Sequence, residues 1–89
     1  MVEELNTQDI KFGEHFFNQL YMRHHNEALW LQNRLVFDLR LLDQPNVFIK
    51  QVNRDISAYT EHARVDFEPT KDIRRLKGFI EGFCDYVVK

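Results

Sequence analysis

Reactive chemistry in this 89-residue chain is confined to four histidines, one cysteine and a short run of bases. His24 and Glu27 stand one helical turn apart, a spacing that zinc and iron sites in helical bundles use. Such a site needs three or four converging ligands. No second pair with matching spacing occurs, because Glu61 and His62 are adjacent and point apart. The expectation is no metal and no cofactor, with His24 as a packed or interface histidine whose protonation could make association pH-sensitive. Cys84 would need a nearby base and a lowered pKa to act as a nucleophile. It falls beside the apolar stripe from Ile80 to Val87, which fits a half-buried structural thiol. The sequence has no Ser–His–Asp arrangement, phosphate-cradling glycine loop or dinucleotide fingerprint, and it reads as non-enzymatic.

Lys71, Arg74, Arg75 and Lys77 form a basic face at the start of the last expected helix. Such a face could grip nucleic acid or an acidic partner, or it could be the solvated back of an amphipathic helix. Aromatic residues are not interleaved with the bases, and the net charge of −2 lacks the basic excess of a general nucleic-acid binder. Gly78 and Gly82 lie four apart on the same helix. At about 100° per residue each stands roughly 160° from Ile80, away from the expected buried stripe. Glycine weakens a helix. The pair therefore marks either close approach of another backbone, from a second subunit or a target, or neutral surface.

These residues need helices to position them, and the organising stretch is Ala28 to Leu42. Ala28, Leu31, Leu35, Leu39 and Leu42 form one apolar line at helical spacing. Trp30, Phe37 and Leu41 form a second, widened by Leu29 and Val36. A helix apolar over so much of its circumference must be surrounded. Residues 35–41 also alternate as a strand would, with DQPN as a hairpin turn. The length of the run, its leucines and its few β-branched residues favour helix. Upstream, Asn6 or Thr7 can cap a helix, and Ile10, Phe17, Leu20, Tyr21 and His24 share a side. Residues 23–26 are polar but contain no Gly or Pro, so one helix over about 8–42 is expected, kinked near 23–26 if anywhere. Asp43-Gln44-Pro45-Asn46 punctuates the chain. The next helix covers 45–64 on the stripe Phe48, Val52, Ile56, Tyr59 and Ala63. After a connector ending at Pro69, Thr70 caps a helix over 70–88 with Ile73, Leu76, Ile80, Phe83 and Val87 inward.

The expected fold is thus all-α: a single domain over 1–89, with a long N-terminal helix and two shorter ones packed as a bundle. Two short helices cover a long one poorly. Phe12, Phe16, Phe17, Leu20, Tyr21 and Met22, with Trp30 and Phe37, then become candidates for an interface with a second copy or another protein. A break at 23–26 would instead let four shorter helices close a bundle, and the need for a partner would weaken. A single cysteine excludes an intrachain disulfide and points to a reducing compartment. The polar start, MVEELNTQDIKF, is no signal peptide, and no apolar run approaches a membrane span. The expectation is a soluble, intracellular protein with neither membrane nor small-molecule partner.

The segment RRLKGFIEGFCDYV, following a cap and a Pro-containing connector, resembles the closing helix of small all-helical accessory proteins from tailed bacteriophages. The resemblance covers about the last twenty residues and implies a virion-assembly or host-interaction role without catalysis. It carries over no functional residue. The principal expectation is a non-catalytic helical interaction or assembly protein. Its rivals are a nucleic-acid-associated protein using Lys71–Lys77 and a small helical enzyme of chorismate-mutase-like size. The enzyme would need cationic side chains converging inside the bundle, where only Arg34 and Arg40 lie within the apolar helix.

Overall fold

The computed structural model describes residues 6–85, and within them the chain is all helical. Helix α1 spans Thr7–Arg23. Asn6 caps it, its side-chain oxygen accepting the Gln8 N–H at 2.8 Å, with Asp9 in the first turn. His24 then leaves the helical conformation (φ −142°, ψ 78°), and α2 runs from His25 to Asp38. His24 itself stays hydrogen-bonded to both helices. The His24 N–H donates to the Leu20 carbonyl at 2.7 Å, and the His24 carbonyl accepts the Ala28 N–H at 3.0 Å.

The single helix expected over 8–42 is therefore two helices and a 3₁₀ turn, Leu39–Asp43. An unbroken one would reach about 50 Å, whereas the longest dimension of the molecule is 39 Å. The physical reason lies in the faces. Both α1 and α2 pack against the last helix, which a straight rod could not do along its whole length. Of the two arrangements open in the sequence, the shorter helices closing on one another is the one found.

Helix α3, Pro45–Ser57, begins with Pro45 in its first turn, where a missing N–H costs nothing. Asp43 is taken up by the 3₁₀ turn, and Gln44 precedes the helix without a side-chain cap. The helix stops short of 64: a turn at Ala58–Tyr59 leads into the short α4, Thr60–Ala63, closed by Arg64 in the left-handed region (φ 56°). Helix α5 spans Ile73–Cys84. Its cap is Asp72, which accepts the Arg74 N–H at 3.0 Å, while Thr70 accepts the Asp72 N–H at 3.1 Å. The helix expected to run on to Val88 ends instead at Asp85, whose left-handed backbone (φ 51°) closes it with its N–H on the Glu81 carbonyl; Val87 of the expected stripe lies outside the described residues. The connector before α5 is fastened by Asn53, whose amide donates to the Ile49 and Thr70 carbonyls at 2.9 and 2.8 Å and accepts the Thr70 N–H at 3.2 Å.

The tightest contact is the α1–α5 seam, where all three glycines of the chain lie. A Cβ on Gly13 would overlap the Phe79 carbonyl oxygen, and one on Gly82 would overlap the Ile10 carbonyl oxygen. One on Gly78 would stand 2.8 Å from the Asp9 Cβ. Here the absent side chain is what lets two backbones touch. Around the seam Phe12, Phe16, Phe17, Phe67, Phe79 and Phe83 pack as one ring cluster, with neighbouring centroids 5.2–6.5 Å apart. That spacing suits edge-to-face and offset stacking. Leu31, Leu35, Phe48, Val52, Ile56 and Leu76 continue the core into α2, α3 and α5.

Candidate interaction surface on the second helix

Helix α2 has two unlike faces. Ala28, Leu31, Leu35 and Asp38 are buried on one side. At about 100° per residue, Asn33 stands opposite that buried line, flanked by Leu29, Trp30, Val36 and Phe37. All five are exposed: Trp30 to 60%, Phe37 to 55%, and Leu29 and Val36 to 38% each. The Arg40 guanidinium lies 4.2 Å above the centre of the Phe37 ring, a cation–π contact that orders the aromatic without covering it. Burying one such side chain is worth roughly 1.5–3 kcal/mol, so four of them turned to solvent on one helix is a costly arrangement for a chain that works alone.

The interface residues expected from sequence separate into three groups. Trp30 and Phe37 are on this exposed face. Tyr21 and Met22 are also exposed, Met22 to 75%, at the end of α1, where the Tyr21 hydroxyl and His25 Nε2 share a 2.7 Å hydrogen bond across the corner. Phe12 and Phe17 are half-buried in the ring cluster. Phe16 and Leu20 are fully buried within the chain, because the break at His24 lets α5 cover α1. Gly78 and Gly82 are likewise buried rather than outward-facing. The backbone that approaches them belongs to α1 of the same chain, so these four residues are corrected from partner contact to core.

The basic run is partly engaged. Arg75 pairs with Asp9 of α1 at 3.5 Å and Arg74 with Asp72 at 3.9 Å, while Lys71 is exposed and Lys77 half-buried. His24 packs edge-on against His62, ring centroids 4.7 Å apart, with Arg23, Glu61 and Arg64 around the same cleft. Among the described residues no group of three or more His, Cys, Asp or Glu is placed to hold a metal ion. Cys84 is half-buried, its thiol 3.6 Å from the Gln32 carbonyl, and burial pushes the thiol up to about 12. Gln32 also donates from its amide to the Phe83 carbonyl at 3.1 Å, tying α2 to the end of α5.

One polar group escaped the sequence reading. Asp38 and Asp55 are buried, 2% and 5% exposed, where α2 meets α3. Arg34 reaches Asp55 at 3.4 Å and the Gln51 amide donates to it at 3.0 Å, yet each aspartate keeps one buried oxygen without a donor. A proton on one of the two carboxyls would supply the missing donor. Burial, then the hydrogen bond to Asp55 and its negative charge, raise the Asp38 carboxyl from 3.8 to about 8; Arg34 acts in the opposite direction. The signal was legible: Asp38 continues the line Ala28, Leu31, Leu35, and Asp55 stands beside Val52 and Ile56 on the apolar side of α3. An aspartate on a buried stripe needs a partner.

No helix among the described residues is long and apolar enough to cross a membrane. The chain matches no family model, no curated protein and no solved structure.

Proposed function

We propose that this chain is a non-catalytic helical interaction module, and that the outer face of α2 is the surface by which it holds another protein. The observation that carries this reading is the exposure of Leu29, Trp30, Val36 and Phe37 on one side of a helix whose opposite side is sealed in the core. A rigid helix face with aromatic anchors is a recurrent mode of protein recognition. The likeness of residues 74–87 to the closing helix of phage accessory proteins adds a setting to the proposal, virion assembly or host interaction.

The test is the paired substitution Trp30→Ser and Phe37→Ser. Both side chains are more than half exposed, so the variant should keep its helical circular dichroism. It should lose whatever binds the wild type, measured as native mass of the purified chain and as the set of proteins retained with it from its own cells. A wild-type chain that is monomeric and retains nothing the variant loses would end this reading.

A further inference from the structure

We infer that the occupant of this surface is a second copy of the same chain, packed α2 against α2 in antiparallel fashion about a two-fold axis at Asn33. The inference rests on the reading of the α2 face as an interaction surface and adds the identity of the partner.

The face is nearly palindromic in position. Asn33 stands where two ridges cross: Leu29–Asn33–Phe37, stepping by four, and Trp30–Asn33–Val36, stepping by three. The four apolar residues thus lie three and four places to either side of one polar centre. Viewed down the helix, Trp30 and Phe37 fall on one flank of Asn33, and Leu29 and Val36 on the other. A two-fold axis at Asn33 brings Trp30 level with Phe37 of the second copy on the first flank. On the second flank it brings Leu29 level with Val36 of the second copy. Aromatic meets aromatic and aliphatic meets aliphatic, on both halves of the contact. At the axis the two Asn33 amides face each other, each able to donate and to accept. Any shift of register would set Asn33 against apolar side chains and leave its amide unpaired.

Charge selects the same arrangement. Arg40 is the charged residue on this face, at one end of it. A parallel pairing would bring Arg40 against Arg40. The antiparallel pairing brings it level with Asn26 of the other α2, which is exposed and uncharged, so the like-charge contact is removed.

Light scattering over a dilution series, together with single added cysteines at Asn26, Asn33 and Arg40, tests the pairing. Opposed Cα atoms at the axis of two packed helices come within disulfide range, whereas residues two turns away from it are about 20 Å from their own copies. The wild type should be a dimer. Asn33→Cys should oxidise to a covalent dimer far faster than wild type, which carries Cys84 alone. Asn26→Cys and Arg40→Cys should each fail to link to themselves but link to each other when mixed. Trp30→Ser should raise the dissociation constant about tenfold or more, with circular dichroism unchanged. A monomer at every concentration overturns the inference, as does a dimer in which Asn26→Cys links to itself as readily as Asn33→Cys. If the monomer still retains a cellular protein that the Trp30→Ser, Phe37→Ser variant loses, the interaction module stands and only its self-pairing falls. If it retains nothing sensitive to those substitutions, both fall.

Discussion

The α1–α5 seam and the outer face of α2 draw on the same residue types and end in opposite environments. At the seam, six phenylalanines pack ring against ring and three glycines let the backbones touch. On α2 another phenylalanine, Phe37, is more than half exposed beside an exposed tryptophan. Aromatic content therefore does not decide burial in this chain. The presence of a complementary surface does, and α5 supplies one to α1 while nothing among the described residues supplies one to the outside of α2. The seam is where the molecule holds itself together. The α2 face is where apolar surface is left uncovered among the described residues.

The comparison can be broken at its strongest point first. Gly82→Val places side-chain atoms on the Ile10 carbonyl, so backbone rather than a flexible side chain must move. A loss of about 4 kcal/mol or more in urea unfolding is expected, beyond ordinary overpacking; a change under about 1 kcal/mol would mean the helices are not in backbone contact. Next comes a matched pair on the same residue type. Phe16→Ala should cost about 3–5 kcal/mol as a cavity in the ring cluster. Phe37→Ala should change the stability of the isolated chain by no more than about 0.5 kcal/mol. Equal losses would erase the distinction between the two regions.

A different kind of effect concerns the far side of α2. The Asp38 carboxyl rises from 3.8 unfolded to about 8 folded, so folding takes up a proton between those values. The stability this group contributes is fully present below about pH 4 and is lost as pH rises through about 8. The free energy of urea unfolding of the wild type should accordingly fall between about pH 5 and about pH 9. Asp38→Asn, which cannot ionise, should show a flatter profile over the same window. An identical profile would mean that Asp38 is not the group that binds the proton.

Much of the architecture was legible in the residues. The all-helical class follows from the period of the apolar stripes, the cap at Asn6 and the helix start at Pro45 from local chemistry, and the buried stripe of Phe48, Val52 and Ile56 on α3, continued by Ala63 on α4, from its spacing. The corner at His24 was not, because it carries no Gly or Pro. Its cause is tertiary, in the need of two helices to share α5. The misplacement of Phe16, Leu20, Gly78 and Gly82 descends from that one corner: a straight first helix leaves them uncovered, and a bent one puts them inside. Trp30 and Phe37 were legible as a second apolar line on an already apolar helix. Asn53 was not, since an amide that fastens a connector is distinguished only by what lies opposite it.

The seam also bears on how the molecule comes apart. Gly82 meets Ile10, and Gly13 meets Phe79, across nearly the whole described length of the chain. Chain ends are ordinarily where a fold loosens first, but here each end helix is the other's main support. Closing so long a loop is entropically unfavourable until the contacts that reward it are made. The ring cluster therefore cannot survive in either half alone. Opening from one end releases the other, which makes unfolding a single cooperative event rather than a gradual fraying.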